Sequence, residues 1–149
     1  PGQAEHYQAN LEDYLKKLSE LDEAYRQTIQ AASKDTIVVC DRFPYRYLTE
    51  DYNLHYYAAF PGCSAETGAS FETVVFLADR VRELELDALL VTETGDQQLA
   101  KTVAENAGRG DMAILTLNSM QSVSAQQAAS LDYLSVMEQN RLVLEQALG

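Results

Sequence analysis

Tryptophan is absent from this chain, and it carries only three prolines, two histidines and two cysteines in 149 residues. Each scarcity removes a class of explanation. Cys40 and Cys63 are too few for a disulfide scaffold. They leave three readings open: a disulfide, two buried thiols, or one metal ligand beside a bystander. His6 falls in the opening segment and His55 at the start of a predicted strand, so no histidine stands near the other candidate residues. A Ser–His–Asp or Cys–His device is therefore unsupported. No phosphate loop, G-x-G-x-x-G or C-x-x-C motif occurs. No run of about 18 apolar residues is present, so no membrane-spanning helix is expected, and no signal peptide is visible. The Pro1-Gly2 start without an initiator Met is read as a mature or truncated chain. Positive charge is also scarce: 11 Lys and Arg against 23 Asp and Glu give a net charge of −12. A phosphate backbone would be repelled, which argues against nucleic acid as a partner. A cation would be attracted, although an acidic surface also serves solubility.

What is present is a globular composition, 46% hydrophobic, in a chain long enough for one domain with a sizeable core. Four short apolar runs stand out: Thr36-Ile37-Val38-Val39, Tyr56-Tyr57-Ala58-Ala59-Phe60, Ala88-Leu89-Leu90-Val91 and Ala113-Ile114-Leu115-Thr116-Leu117. Helical patterns separate them. Strands alternating with helices form a parallel sheet, because each parallel pair needs a crossover. The expected fold is α/β, a four-stranded parallel sheet flanked by helices and preceded by a long helix. In open parallel sheets the ligand crevice lies beyond the carboxyl ends of the strands. The residues after the four runs should therefore share one rim. They are Cys40-Asp41, Gly62-Cys63-Ser64-Ala65-Glu66, Thr92-Glu93-Thr94-Gly95-Asp96 and Asn118-Ser119.

The first 32 residues read as one helix, with Tyr7, Leu11, Tyr14, Leu18, Leu21 and Tyr25 at helical spacing. About 30 helical residues extend roughly 45 Å, more than one sheet face requires, so part of the helix should project past the core. The spacing also suits a short coiled-coil arm. Strands are predicted over 36–40, 55–60, 88–92 and 113–117. A short helix is expected from Arg42-Phe43-Pro44-Tyr45 to about Asp51, with Pro44 in its first turn. Further helices are expected over 72–84 behind Ser70 as N-cap, over 96–106 up to Gly108 and Gly110, and over 128–148. Phe71, Val74, Val75, Leu77, Ala78 and Val81 should form the buried face of the 72–84 helix, and Leu131, Leu134, Met137, Leu142, Leu144 and Leu148 that of the last.

Among the rim residues, Cys40 and Asp41 offer zinc a thiolate or a carboxylate. Each has a structural alternative: Cys40 as a small buried hydrophobe, and Asp41 as a cap for the helix beginning near Phe43. Glu66 and Glu93 add carboxylates, Asp96 either a carboxylate or a helix cap, and Asn118 a neutral oxygen suited to hard cations.

The segment Cys40-Asp41-Arg42-Phe43-Pro44-Tyr45-Arg46-Tyr47-Leu48-Thr49-Glu50-Asp51-Tyr52-Asn53-Leu54 resembles the start of the C-terminal lobe of the metal-binding lipoproteins and periplasmic proteins of zinc and manganese ABC transporters. These are the cluster A-I solute-binding proteins. The opening helix, Asn10 to Thr28, resembles the rigid helix joining the family's two lobes, and Ser130 to Met137 with Asn140 resembles its last helix. The resemblance covers nearly the whole chain. It implies a connecting helix over 1–32 and a C-terminal lobe over 33–149, with the N-terminal lobe missing. It implies a non-enzymatic, extracytoplasmic protein, periplasmic or a surface lipoprotein, that holds Zn2+ or Mn2+ between lobes and hands it to a membrane permease. The metal ligands it implies in this lobe are Cys40 or Asp41, then Asn118 where the family has an Asp, with Glu93 compensating for the lost charge. Without the resemblance, two other readings stand: a small flavodoxin-like or signalling module with Asp41 and Glu93 on Mg2+, and an interaction domain pairing through its first helix.

Overall fold

The computed structural model describes residues 3–62 and 68–149. Cys63, Ser64, Ala65 and Glu66, singled out above, lie outside the described residues. The chain runs α1 (Ala4–Ala31), β1 (Thr36–Arg42), α2 (Arg46–Asp51), β2 (His55–Phe60), α3 (Phe71–Glu83), β3 (Ala88–Val91), α4 (Gln97–Asn106), β4 (Ala113–Thr116), α5 (Ala125–Ala128) and α6 (Tyr133–Leu148). All strand pairs are parallel, in the order β2-β1-β3-β4. The expected α/β fold is present, with the long helix ahead of the sheet.

Strand alternation divides the core into two layers. Val38, Cys40, Leu89 and Val91 face α3 and α4, while Ile37, Val39, Ala88 and Leu90 face α6 and the inner end of α1. The helices are cut to length by their sequence signals. Ser70 accepts from Thr73 N at the start of α3, and Asp96 accepts from Gln98 N at the start of α4. After α4, Gly108 at φ 72° lets the backbone turn back. Its N–H and that of Arg109 then reach the carbonyls of Glu105 and Ala104.

Several local expectations are corrected. Arg42 belongs to β1, whose pairing with β2 slips between Val39 and Arg42. Pro44 therefore precedes α2, and Tyr45, not Asp41, occupies its N-cap position. The last helix is two: α5 ends at Ala128, and Asp132 starts α6 afresh by accepting from Ser135 N. Phe71 is 76% exposed and Leu142 is 42% exposed, so neither joins its helix's buried face. Phe71 sits at the first position of α3, before the helix has turned onto the sheet.

The inner end of α1 is fixed to α6. Tyr25 is buried and donates its hydroxyl to Met137 O at 2.6 Å, and Arg141 donates to Thr28 Oγ1 at 2.8 Å. Tyr25 also stacks on Tyr52, whose hydroxyl donates to Asp22 at 2.8 Å. Towards its N-terminus α1 leaves the core, and Tyr7, Leu11, Tyr14 and Leu15 are exposed. Its 28 residues reach about 42 Å at 1.5 Å per residue, so the outer half projects as an arm.

Candidate functional site

The carboxyl ends of β1, β3 and β4 come together as the parallel topology requires. Asp41 stands at the end of β1 and bridges to the segment after β3. Its Oδ1 accepts from Arg42 N at 2.7 Å, and its Oδ2 accepts from Thr92 N at 3.2 Å and from the Thr92 hydroxyl. Gly95 closes over this carboxylate. A Cβ there would overlap Asp41 Oδ2 and lie 3.2 Å from Thr92 N, so the loop can approach this closely only with glycine. Beside the pair opens a cleft of about 370 Å³, lined by Cys40, Asp41, Arg42, Phe60, Gly95 and Leu99 among others.

Cys40 is adjacent in sequence but points into the core, 2% exposed. Burial, and then the neighbouring Asp41 charge, push its thiol up to about 12. Its side chain packs with Val38, Leu89 and Val91 in the core layer. Asp41 brings the charge to the rim.

Glu93 is half-buried one residue beyond Thr92 and faces the segment after β4. Its two carboxylate oxygens accept from Ser119 N at 2.7 Å and the Ser119 hydroxyl at 2.8 Å. Burial alone raises its carboxyl, but the hydrogen bonds from Ser119 and from nearby backbone outweigh this and hold it below the usual glutamate range. Glu93 is therefore ionised at neutral pH. Asn118 is tied on three sides. Its N–H donates to Asn140 Oδ1, its carbonyl accepts from Asn140 Nδ2, and its Oδ1 accepts from Met120 N, each at 2.8 Å.

Tyr45 lies beneath the rim and donates its hydroxyl to the Leu117 carbonyl. Burial first, then the Glu93 and Asp41 charges, raise the pKa of its phenol. One buried ring thus lies within the field of both carboxylates. Asp96 is used as the cap of α4. His6 is on the arm and His55 at the opposite end of the sheet. Among the described residues no three His, Cys, Asp or Glu side chains converge on one point. The rim thus offers the carboxylates of Asp41 and Glu93 and a neutral amide oxygen, short of a closed coordination shell.

Thr92, Gly95, Ser119, Tyr45 and Asn140 complete this arrangement; the first three fall in the strand-end clusters read from the sequence, without an assigned role, and Tyr45 and Asn140 do not. Gly95 carried a further signal, a glycine directly before a helix cap at the end of a strand. The roles of Tyr45 and Asn140 act across the fold, where neither periodicity nor spacing reveals them.

Comparison with known proteins agrees with this architecture. Residues 1–147 match the family described as ZnuA, zinc-uptake complex component A, periplasmic. The chain is 29% identical over 148 residues to the zinc-binding lipoprotein AdcA of Streptococcus pneumoniae, covering 98% of this chain and 28% of that protein. It is 26% identical over 148 residues to the high-affinity zinc uptake system protein ZnuA of Bacillus subtilis, covering 99% of this chain and 45% of that protein. The Zn(II)-bound ZnuA-like domain of S. pneumoniae AdcA superposes with a TM-score of 0.74 at 27% identity, covering 99% of this chain and 54% of that one. The periplasmic zinc binding protein TroA of Treponema pallidum shares the fold, with a TM-score of 0.79 at 17% identity. The chain spans less than half the length of these two curated relatives and about half of that crystallised domain. On the match across nearly all of its length, the chain belongs to the ZnuA family.

Proposed function

We propose that this chain is the C-terminal lobe, with the connecting helix, of an extracytoplasmic solute-binding protein that captures zinc or manganese for an ABC importer. The observation that carries the reading is the placement of Asp41 and Glu93, two oriented carboxylates on the strand-end rim of a chain from this family. The ion is cargo, and the lobe is a receptor rather than an enzyme. Zinc in a protein shell is usually four-coordinate, and this rim supplies only part of such a shell. The remaining ligands would come from an N-terminal lobe packed against the exposed stripe of α1, with 1–32 as the connecting helix and 33–149 as the lobe.

Each rim residue then has a distinct part. Asp41 and Glu93 supply charge that offsets the dication, and each keeps at least one lone pair beyond those that the hydrogen bonds described above occupy, Asp41 on Oδ1. Thr92 and Ser119 hold the carboxylates in place, as outer-shell donors do at metal sites. Asn118 contributes its amide oxygen, which has one lone pair left beside the Met120 bond. Cys40 supports the rim from within the core. Closure of both lobes would bury the ion and present a joint surface to the permease.

The test is zinc affinity in the two-lobed protein. Asp41→Ala and Glu93→Ala are each expected to weaken binding at least tenfold, and Cys40→Ala to leave it within about threefold. Unchanged affinity after both carboxylates are removed together would refute the assignment.

A further inference from the structure

Asn140 is a buried amide in an otherwise apolar stripe. It is 3% exposed, and the other buried residues of α6 are Leu144, Ala147 and Leu148. A buried amide without partners is destabilising, so its partners explain its presence. They are both backbone groups of Asn118, reached at 2.8 Å in each direction, with the Met137 sulfur as a further acceptor 3.7 Å from Nδ2. One residue past β4, Leu117 N makes the last bond of this segment to the sheet, to Val91 O at 2.9 Å. One residue further on, the Asn140 side chain takes the place of a neighbouring strand.

The turn beyond β4 depends on that anchor. Asn118 Oδ1 accepts from Met120 N, and Met120 adopts φ 57°, so the chain turns sharply around Ser119. The turn aims the Ser119 N–H and hydroxyl at Glu93, one on each carboxylate oxygen. The orientation of Glu93 is thus set by a residue on α6 with no hydrogen bond to it.

We propose that Asn140 is a positioning residue, which holds the Asn118-Ser119 turn in the one conformation that presents two donors to Glu93. Its consequence for metal capture rests on the function proposed above; the positioning itself does not. No other side chain of similar shape supplies this pair of bonds: aspartate lacks the donor, and leucine lacks both groups.

Amide hydrogen exchange on this chain, without metal, separates positioning from general support. The variants are Asn140→Ala and Leu144→Ala, the latter removing a core side chain one turn along α6. In Asn140→Ala the Ser119 amide is expected to lose about tenfold more protection than the Leu117 amide. In Leu144→Ala the two amides should change together. Asn140→Asp keeps the acceptor for Asn118 N–H and should show the same selectivity at reduced size, which serves if the alanine variant does not fold. Equal changes at Ser119 and Leu117 in the Asn140 variants, or no change at Ser119, would overturn the proposal. In the two-lobed protein, Asn140→Ala should weaken zinc binding about tenfold more than Leu144→Ala, and equal weakening would overturn the positioning role. Absence of zinc binding by the unaltered two-lobed protein would instead refute the metal reading, while the exchange data would still decide the role of Asn140.

Discussion

Gly95→Ala is expected to lower the unfolding free energy by about 2–3 kcal/mol, equivalent to roughly 4–12 °C in Tm for a chain of this size. The added methyl group would occupy the place of Asp41 Oδ2 and crowd Thr92 N at 3.2 Å. Either the carboxylate leaves Thr92 or the loop before α4 moves away. In both cases the polar bridge between the ends of β1 and β3 is broken, and its bonds involve a charged group. The same reasoning predicts strong non-additivity. Asp41→Ala removes the obstacle, so Gly95→Ala added to it should cost less than about 1 kcal/mol. Denaturant unfolding of the two single variants and the double variant measures this. Additive losses would show that the glycine is needed for some other reason.

Leu144→Ala is expected to cost about 2–5 kcal/mol, the range for a fully buried leucine whose surroundings close only partly over the cavity. Leu144 is 0% exposed and belongs to the core layer between α6, the inner end of α1 and the sheet residues Val39 and Leu90. Leu142 is two residues away in sequence and largely outside the core, and Leu142→Ala should change stability by no more than about 0.5 kcal/mol. Similar losses from both substitutions would contradict the assignment of the α6 face.

The contrast between these leucines shows where the sequence was readable. Residues two apart lie about 200° apart around a helix, so spacing itself separates Leu142 from Leu144, and counting both in the apolar face took hydrophobicity for position. The four strands were found to within two residues because each is a short apolar run bounded by turn or capping residues. Ser70 and Asp96 were legible as caps because capping is local chemistry. The early end assigned to β1 and the helix start assigned to Arg42-Phe43-Pro44-Tyr45 failed for a physical reason. Proline suits a first helical turn, but here the edge pairing with β2 extends β1 to Arg42, and Pro44 falls in the link to α2. The break between α5 and α6 was hidden because Ser130-Leu131-Asp132 carries no glycine or proline.

The rim was legible as a location, since parallel topology alone brings the strand ends together. The partners of its residues were not. Asp41 meets Thr92 across 51 positions, and Asn118 meets Asn140 across 22. Such pairs leave no periodic signature, and each residue taken alone looks like an ordinary loop or helix residue. The direction of the Cys40 side chain was an open choice in the sequence for a related reason. Strand alternation places it with Val38 on the α3 and α4 side, but the slip in the β1 ladder falls in the same few residues.

Titration calorimetry with zinc and with manganese, on this chain and on the two-lobed protein, tests the central claim most directly. The account predicts a saturable site with one ion per molecule in the two-lobed protein and only weak, unsaturated binding by this chain alone. Binding by this chain as tight as that of the two-lobed protein would contradict a site split between lobes. Absence of binding by both would contradict a role in metal capture altogether.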